Sequence, residues 1–275
     1  MGSIEIATSV HTSAASLLKD LSERRREMAL ACAGGLVVPV GGLFSLSSPT
    51  NTASSHIHVG VPKSERDRVY NNLAYFAPVL AVAAANSPWA NGEPFGLSYR
   101  MHVEGLLGPL REDREYRFQD IIISKRLGTI ELRIFDPMPQ LDRLECVLNA
   151  IIEIAKSPAN YSFSRDDYNR ERPGWTKSGV NEFIRGRWSE LQDTAKLPLE
   201  LLEHTLSNDL SEIASKNSIL AAYEHADSIW RAPTGVPREL REGSKTRTLA
   251  GLTGFYALRL PFIAYKGYKE WYGKA

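Results

Sequence analysis

Two short segments alternate polar and apolar residues with a period of two, and no other feature limits the fold as tightly. In His56-Ile57-His58-Val59-Gly60-Val61 both imidazoles fall on one side of a strand, with Ile57 and Val59 on the other. In Ile130-Glu131-Leu132-Arg133-Ile134-Phe135-Asp136 the polar pair is Glu131 and Arg133, and Ile130, Leu132 and Ile134 oppose it. Strands of this kind need an apolar layer under one face and leave the other polar. A third strand is expected over 119–124, joined to 129–135 by a tight turn at Leu127-Gly128.

The rest of the chain supplies the covering layer. Helical spacing over 13–33 puts Leu17, Leu18, Leu21, Met28 and Cys32 on one side, and Gly34-Gly35 stops that helix. A second helix is expected over 64–85, capped by Ser64 and kinked at Pro78. A third, amphipathic, is expected over 141–156. Residues 4–7 and 36–40 read as further strands, 45–55 as a loop, and 86–97 as irregular. Beyond the polar and aromatic stretch 161–177, helices dominate, ending in the Tyr-, Trp- and Lys-rich segment 258–272. The expectation is one α+β domain, with a sheet core over 1–160 and a helical part over 161–275.

Composition narrows the partners. The 275 residues carry 33 Lys and Arg against 32 Asp and Glu, a net charge of +1, which argues against a polyanion binder with a large basic surface. No nucleic-acid or membrane partner is expected, since no charge-free apolar run reaches the ~18 residues a span requires. No signal peptide is read at the start. Cys32 and Cys146 lie on apolar helical patterns and read as buried thiols of a reducing, cytoplasmic compartment.

Four places can carry chemistry. His56 and His58 suit a metal ligand beside a phosphate contact, or simply a polar pair on a wet face. Glu131 and Arg133 suit a cation holder beside a clamp on a phosphoryl group, or a cross-strand salt bridge. Glu5, between apolar neighbours, reads alone as a solvated strand acid. Asn86 and Ser87, with Arg100 downstream, offer amide, hydroxyl and guanidinium donors for an amino-acid carboxylate, or a helix end and an ordinary surface arginine. His11, His102, His204 and His225 show no partner pattern, though His102 lies close enough to Arg100 to line a site. Arg24-Arg25-Arg26 reads as a solvated helix face.

The order of these segments carries more than any one of them. Glu5 in IEIAT, HIHVGVP at 56–62, ANSPWANG at 85–92, SYR at 98–100 and IELRIFD at 130–136 together resemble the glutamate–cysteine ligase type 2 family of the glutamine-synthetase-like superfamily. The resemblance covers residues 3 to about 156 well and the helical remainder loosely. It implies a curved antiparallel sheet with helices on the convex face and a concave face that holds ATP, divalent cations (Mg2+, with Mn2+ possible) and an acidic amino acid. The implied reaction joins a carboxylate to an amine through an acyl phosphate. The resemblance further implies Glu5, His56 and Glu131 as metal ligands, His58 beside the phosphates, Arg133 on the transferring phosphoryl group, and Arg100, Asn86 and Ser87 on the substrate carboxylate.

Family members also begin with a strand of closely spaced glutamates, and none precedes Glu5 here. The implied metal cluster is therefore short of carboxylates, and residues 4–7 are expected as an open sheet edge, covered by a second copy or a partner chain. A mis-started sequence, a partner-donated strand and a relative without activity all remain open, and Glu93, Glu104 and Asp120 are the alternative acids. The rival readings are a non-catalytic or partner-dependent subunit of such a ligase, and a phosphotransferase on the related guanidino-kinase-type sheet.

Overall fold

A computed structural model of the chain describes residues 4–32, 34–46, 48, 52–105 and 107–239. The chain divides into two compact units, Met1–Arg238 and Glu239–Ala275. The aromatic segment 258–272 lies outside the described residues.

Unit one is α+β, about half helical, with a small antiparallel sheet. Strand β1 (Ile57–Val59) and strand β4 (Ile121–Ile123) flank strand β5 (Ile130–Leu132) in the order β1-β5-β4. The register sets Ile57, Leu132 and Ile121 opposite one another, then His58, Glu131 and Ile122, then Val59, Ile130 and Ile123. Residues paired this way project to the same face, so the alternation seen in the sequence becomes one apolar and one polar face. Ile121, Ile130, Leu132 and Ile134 are fully buried, in one core with helix α2 (Arg66–Ala83) and helix α4 (Leu141–Lys156). Helices α5 (Arg165–Ser178) and α6 (Glu182–Leu191) add Tyr168, Trp175 and Ile184 to that core.

The helix expected over 13–33 is helix α1 (Ala14–Ala31), started by Ser13, whose side chain accepts from the Ser16 amide. Its arginine run is not all solvated. Arg25 is buried and donates to the carbonyls of Met138 and Pro139, at 2.7 Å each, because these oxygens have no ladder partner of their own. Helix α2 is entered through a 3-10 turn (Lys63–Glu65), so Ser64 lies inside a turn rather than at the cap, and the helix runs on through Pro78.

Two expected strands do not form. Residues 4–10 carry no strand, and Ile4 is 61% exposed. Residues 36–40 are extended but unladdered, because side chains take up the backbone around them. Val37 N–H donates to Asp227, Gly41 N–H to Asn86, Gly42 N–H to Ser87 and Phe44 N–H to Tyr223, while Pro39 accepts from Asn86. The stretch expected as irregular contains a minimal hairpin, β2 (Trp89–Ala90) and β3 (Glu93–Pro94), turned by Asn91-Gly92 with both φ values positive.

Asp120 (0% exposed) holds Arg172 (2%) through two bonds of 2.7 and 3.0 Å and also accepts from the Tyr168 hydroxyl. Removing one partner of a buried pair strands the other charge. Asp120→Ala should therefore cost about 3–5 kcal/mol in urea unfolding; a loss under about 1 kcal/mol would show that this pair does not hold the sheet to α5.

Candidate functional site

The polar face gathers four of the residues singled out above. Arg133 Nη1 donates to Glu131 Oε1 at 2.6 Å. His56 Nδ1 lies 3.4 Å from the same oxygen, and His58 Nε2 lies 4.0 Å from Oε2. The far side of each imidazole is also tied: His56 Nε2 to the Ser54 hydroxyl at 2.8 Å, and His58 Nδ1 to Thr129 at 2.9 Å. Thr129 and Ser54 escaped the sequence reading. Thr129 lies two residues before Glu131, the residue paired with His58, and so reaches His58 diagonally on the same face.

Burial and neighbouring charges both act on His56. Burial first, then Arg133, Arg100, His58 and Arg117, push His56 down to about 3. Glu131 pulls the other way at 3.4 Å, but its charge is already paired with Arg133. With His56 neutral, the face carries the guanidinium charge against one carboxylate, and the imidazoles add rotatable donors and acceptors.

The face does not, by itself, fit the magnesium that the resemblance implies. Mg2+ takes oxygen donors in near-octahedral array, and the described face offers one carboxylate, already engaged by Arg133. Among the described residues no group of three or more His, Cys, Asp or Glu side chains is arranged to hold a metal ion. Glu5 is exposed. Of the alternative acids, Asp120 is locked to Arg172.

Arg100, Asn86 and Ser87 are not on this face. Each is buried, and their polar atoms form an internal network around Asp136. The Arg100 guanidinium donates to the carbonyls of Arg133, Ile134 and Phe135 at 2.8–3.1 Å and lies 3.7 Å from Asp136 Oδ1. Asn86 donates to Pro39 and Pro137 and accepts from Gly41 N–H; Ser87 accepts from Gly42 N–H. The donors expected on a substrate carboxylate are thus engaged inside the protein. Asp136, the hub of the network, stood in the quoted IELRIFD segment but was assigned no role.

His102 sits on the short helix α3 (Tyr99–His102), bonds Thr176 at 3.0 Å and packs on the Phe95 ring, away from the polar face. His11 has a partner after all, Asp20 at 3.0 Å. Both cysteines are free and half-buried. No helix among the described residues is long and apolar enough to cross a membrane.

A small antiparallel sheet with a compact His, His, Glu and Arg cluster on its polar face, backed by helices, defines an α+β protein with a candidate anion site. A family model described as Glutamate-cysteine ligase family 2 (GCS2) matches residues 46–113. That span includes His56, His58, Asn86, Ser87 and Arg100 and ends before Glu131. A protein of Ectopseudomonas mendocina named "Putative glutamate--cysteine ligase 2" is 29% identical over 154 residues, 46% of this chain and 41% of that protein. Proteins of the same name are 26% identical over 242 residues in Rhodospirillum rubrum (74% of this chain, 60% of that protein) and 32% identical over 114 residues in Pseudomonas entomophila (32% and 30%). The resemblance carried by the motifs therefore holds, at low identity, and the chain spans between 30% and 60% of these relatives' lengths.

A His that titrates near 3 when folded and near 6.5 when unfolded binds fewer protons folded. Its contribution to stability is then full above about pH 6.5 and falls as pH drops toward 3. His56 should accordingly stay neutral through pH 5 in an imidazole NMR titration of the folded protein; a midpoint at or above 6.5 would contradict the burial and charge argument.

Proposed function

We propose that this chain acts in the ATP-dependent joining of a carboxylate to an amine, on a sheet of the glutamine-synthetase-like type. The observation that carries the reading is the convergence of His56, His58, Glu131 and Arg133 from two neighbouring strands. The similarity to proteins named as glutamate–cysteine ligases supports it.

In this reading ATP donates its γ-phosphoryl group to the side-chain carboxylate of an acidic amino acid, giving an acyl phosphate and ADP. An amine then attacks the acyl carbon, the amide forms, and phosphate and a proton leave. Negative charge collects on the transferring group. The Arg133 guanidinium neutralises it, turning from Glu131 toward the transferring group, and His58 contacts the neighbouring phosphate oxygens. Mg2+ or Mn2+ enters this proposal as the nucleotide's companion ion; the described residues provide no cage for it, and no step here is routed through it. The acidic amino acid and the amine are the proposed small-molecule partners.

A second reading rests on one specific observation. Glu131 is already neutralised by Arg133, and the described residues hold no cation-binding group, which suits a subunit that binds nucleotide but needs a partner or a second copy for catalysis. An assay with ATP, Mg2+ or Mn2+, glutamate and a panel of amines separates the cases. A ligase releases ADP in an amine-dependent way, a phosphotransferase releases ADP and leaves a phosphorylated product without amine, and a binding subunit releases none.

Lysine cannot reproduce the planar fork. Arg133→Lys should slow turnover by about 10²-fold or more, with little change in melting temperature. A stable variant with unchanged turnover would reduce Arg133 to a salt bridge.

A further inference from the structure

The residues around Asp136 are drawn from four separate stretches, at 39–42, 86–87, 98–100 and 133–137, and all end within one buried network. Its geometry is directed at one place. Arg100 grips three consecutive carbonyls, those of Arg133, Ile134 and Phe135, just where the chain leaves β5. Three consecutive carbonyls bound by one rigid guanidinium cannot rotate independently. The backbone that carries the Arg133 side chain is thereby held by Arg100.

Arg100 is itself fixed. Asp136 Oδ1 lies 3.7 Å from its Nη1, and Asp136 Oδ2 accepts from the Asn86 amide and the Ser98 hydroxyl, both at 2.8 Å. Burial pushes the Asp136 carboxyl up and pulls Arg100 down to about 10, so Arg100 keeps its charge at neutral pH, facing the carboxyl. Asp136 Oδ1 is buried without a hydrogen-bond partner, and a Cβ built on Gly41 would overlap both the Asp136 carboxyl and the Ser87 hydroxyl. On the polar side, Arg133 is 11% exposed and its Nε is buried without a hydrogen-bond partner. Its one short side-chain bond, to Glu131, is not enough to fix a long side chain, and the backbone hold supplies the rest.

We propose that Arg100, braced by Asp136, is a positioning residue for Arg133, and that the network exists to aim that guanidinium at the anion on the polar face. The proposal rests on the reading of the face as an anion site, although the aiming itself can be measured without any ligand. Arg100 touches neither substrate nor reacting atoms and acts only through the backbone of 133–135. Lysine at 100 keeps the charge but reaches fewer carbonyls, and asparagine at 136 keeps the shape but replaces a carboxyl oxygen facing Arg100 by an amide.

The test has two arms, on Arg100→Lys, Asp136→Asn, Arg133→Lys and the Arg100→Lys/Arg133→Lys double variant, all below the melting transition recorded for each. In the first arm, arginine side-chain 1H–15N spectra of the ligand-free protein follow Arg133 Nε–H. A slowly exchanging, resolved signal is expected in the wild type and a solvent-averaged one in Arg100→Lys and Asp136→Asn. An unchanged signal in both folded variants would overturn the positioning role. In the second arm, inorganic tripolyphosphate is titrated calorimetrically. Arg100→Lys and Arg133→Lys should each weaken binding by about 10-fold or more, and the double variant should be no weaker than Arg133→Lys alone, since the two act as one unit. Losses that multiply would assign Arg100 an independent role and overturn the proposal. If the wild type binds no tripolyphosphate while the spectra change as expected, the anion-site reading fails and the positioning stands.

Discussion

A carboxyl with no exposure to solvent stands at the centre of this structure. Asp136 is fully buried, and a buried charge is tolerated only where hydrogen bonds and an opposite charge replace water. The Asn86 amide, the Ser98 hydroxyl and Arg100 supply that replacement, and each comes from a different stretch of chain. Asn86 and Ser87 then hold the amides of Gly41 and Gly42, which is why 36–40 runs extended beside the core with no strand partner. Removing the carboxyl would unbrace a helix end, the α3 N-terminus and the exit of β5 together. Two further buried arginines follow the same logic elsewhere, Arg172 on Asp120 and Arg231 on Asp227.

Charge is balanced on the polar face as well. Glu131 and Arg133 are nearly neutral as a pair, and desolvation of its ring, followed by Arg133 and Arg100, lowers His56 although its side chain is 35% exposed. The face has donors, little solvent around Arg133, and no ready-made cation site among the described residues.

Much of this was legible in the sequence. A period of two at 56–61 and 130–134 identified the polar cluster, and apolar spacing identified α1, α2 and α4, because both signals are local. What was not legible depends on partners far away in sequence. Arg25 reads as one of three surface arginines until its carbonyl partners, 113 and 114 residues on, are known. Residues 36–40 read as a strand because they are apolar, but the groups that take up the backbone there are side chains at 86, 87, 223 and 227. Arg100, Asn86 and Ser87 read in sequence as donors for a carboxylate; that they are buried, with Arg100 on the carbonyls of 133–135, is a tertiary property. Asp136 was overlooked for a related reason: a lone Asp after an apolar strand is usually a solvated turn residue.

The central claim is that the polar face of β1 and β5 receives a nucleotide's phosphates. The most direct measurement is a crystal structure of the chain with a non-hydrolysable ATP analogue and Mg2+. The account predicts phosphate oxygens within hydrogen-bond distance of Arg133 and His58, with the Glu131–Arg133 bond of 2.6 Å lengthened or broken. A nucleotide bound elsewhere, with that ion pair and both imidazole contacts unchanged, would contradict it.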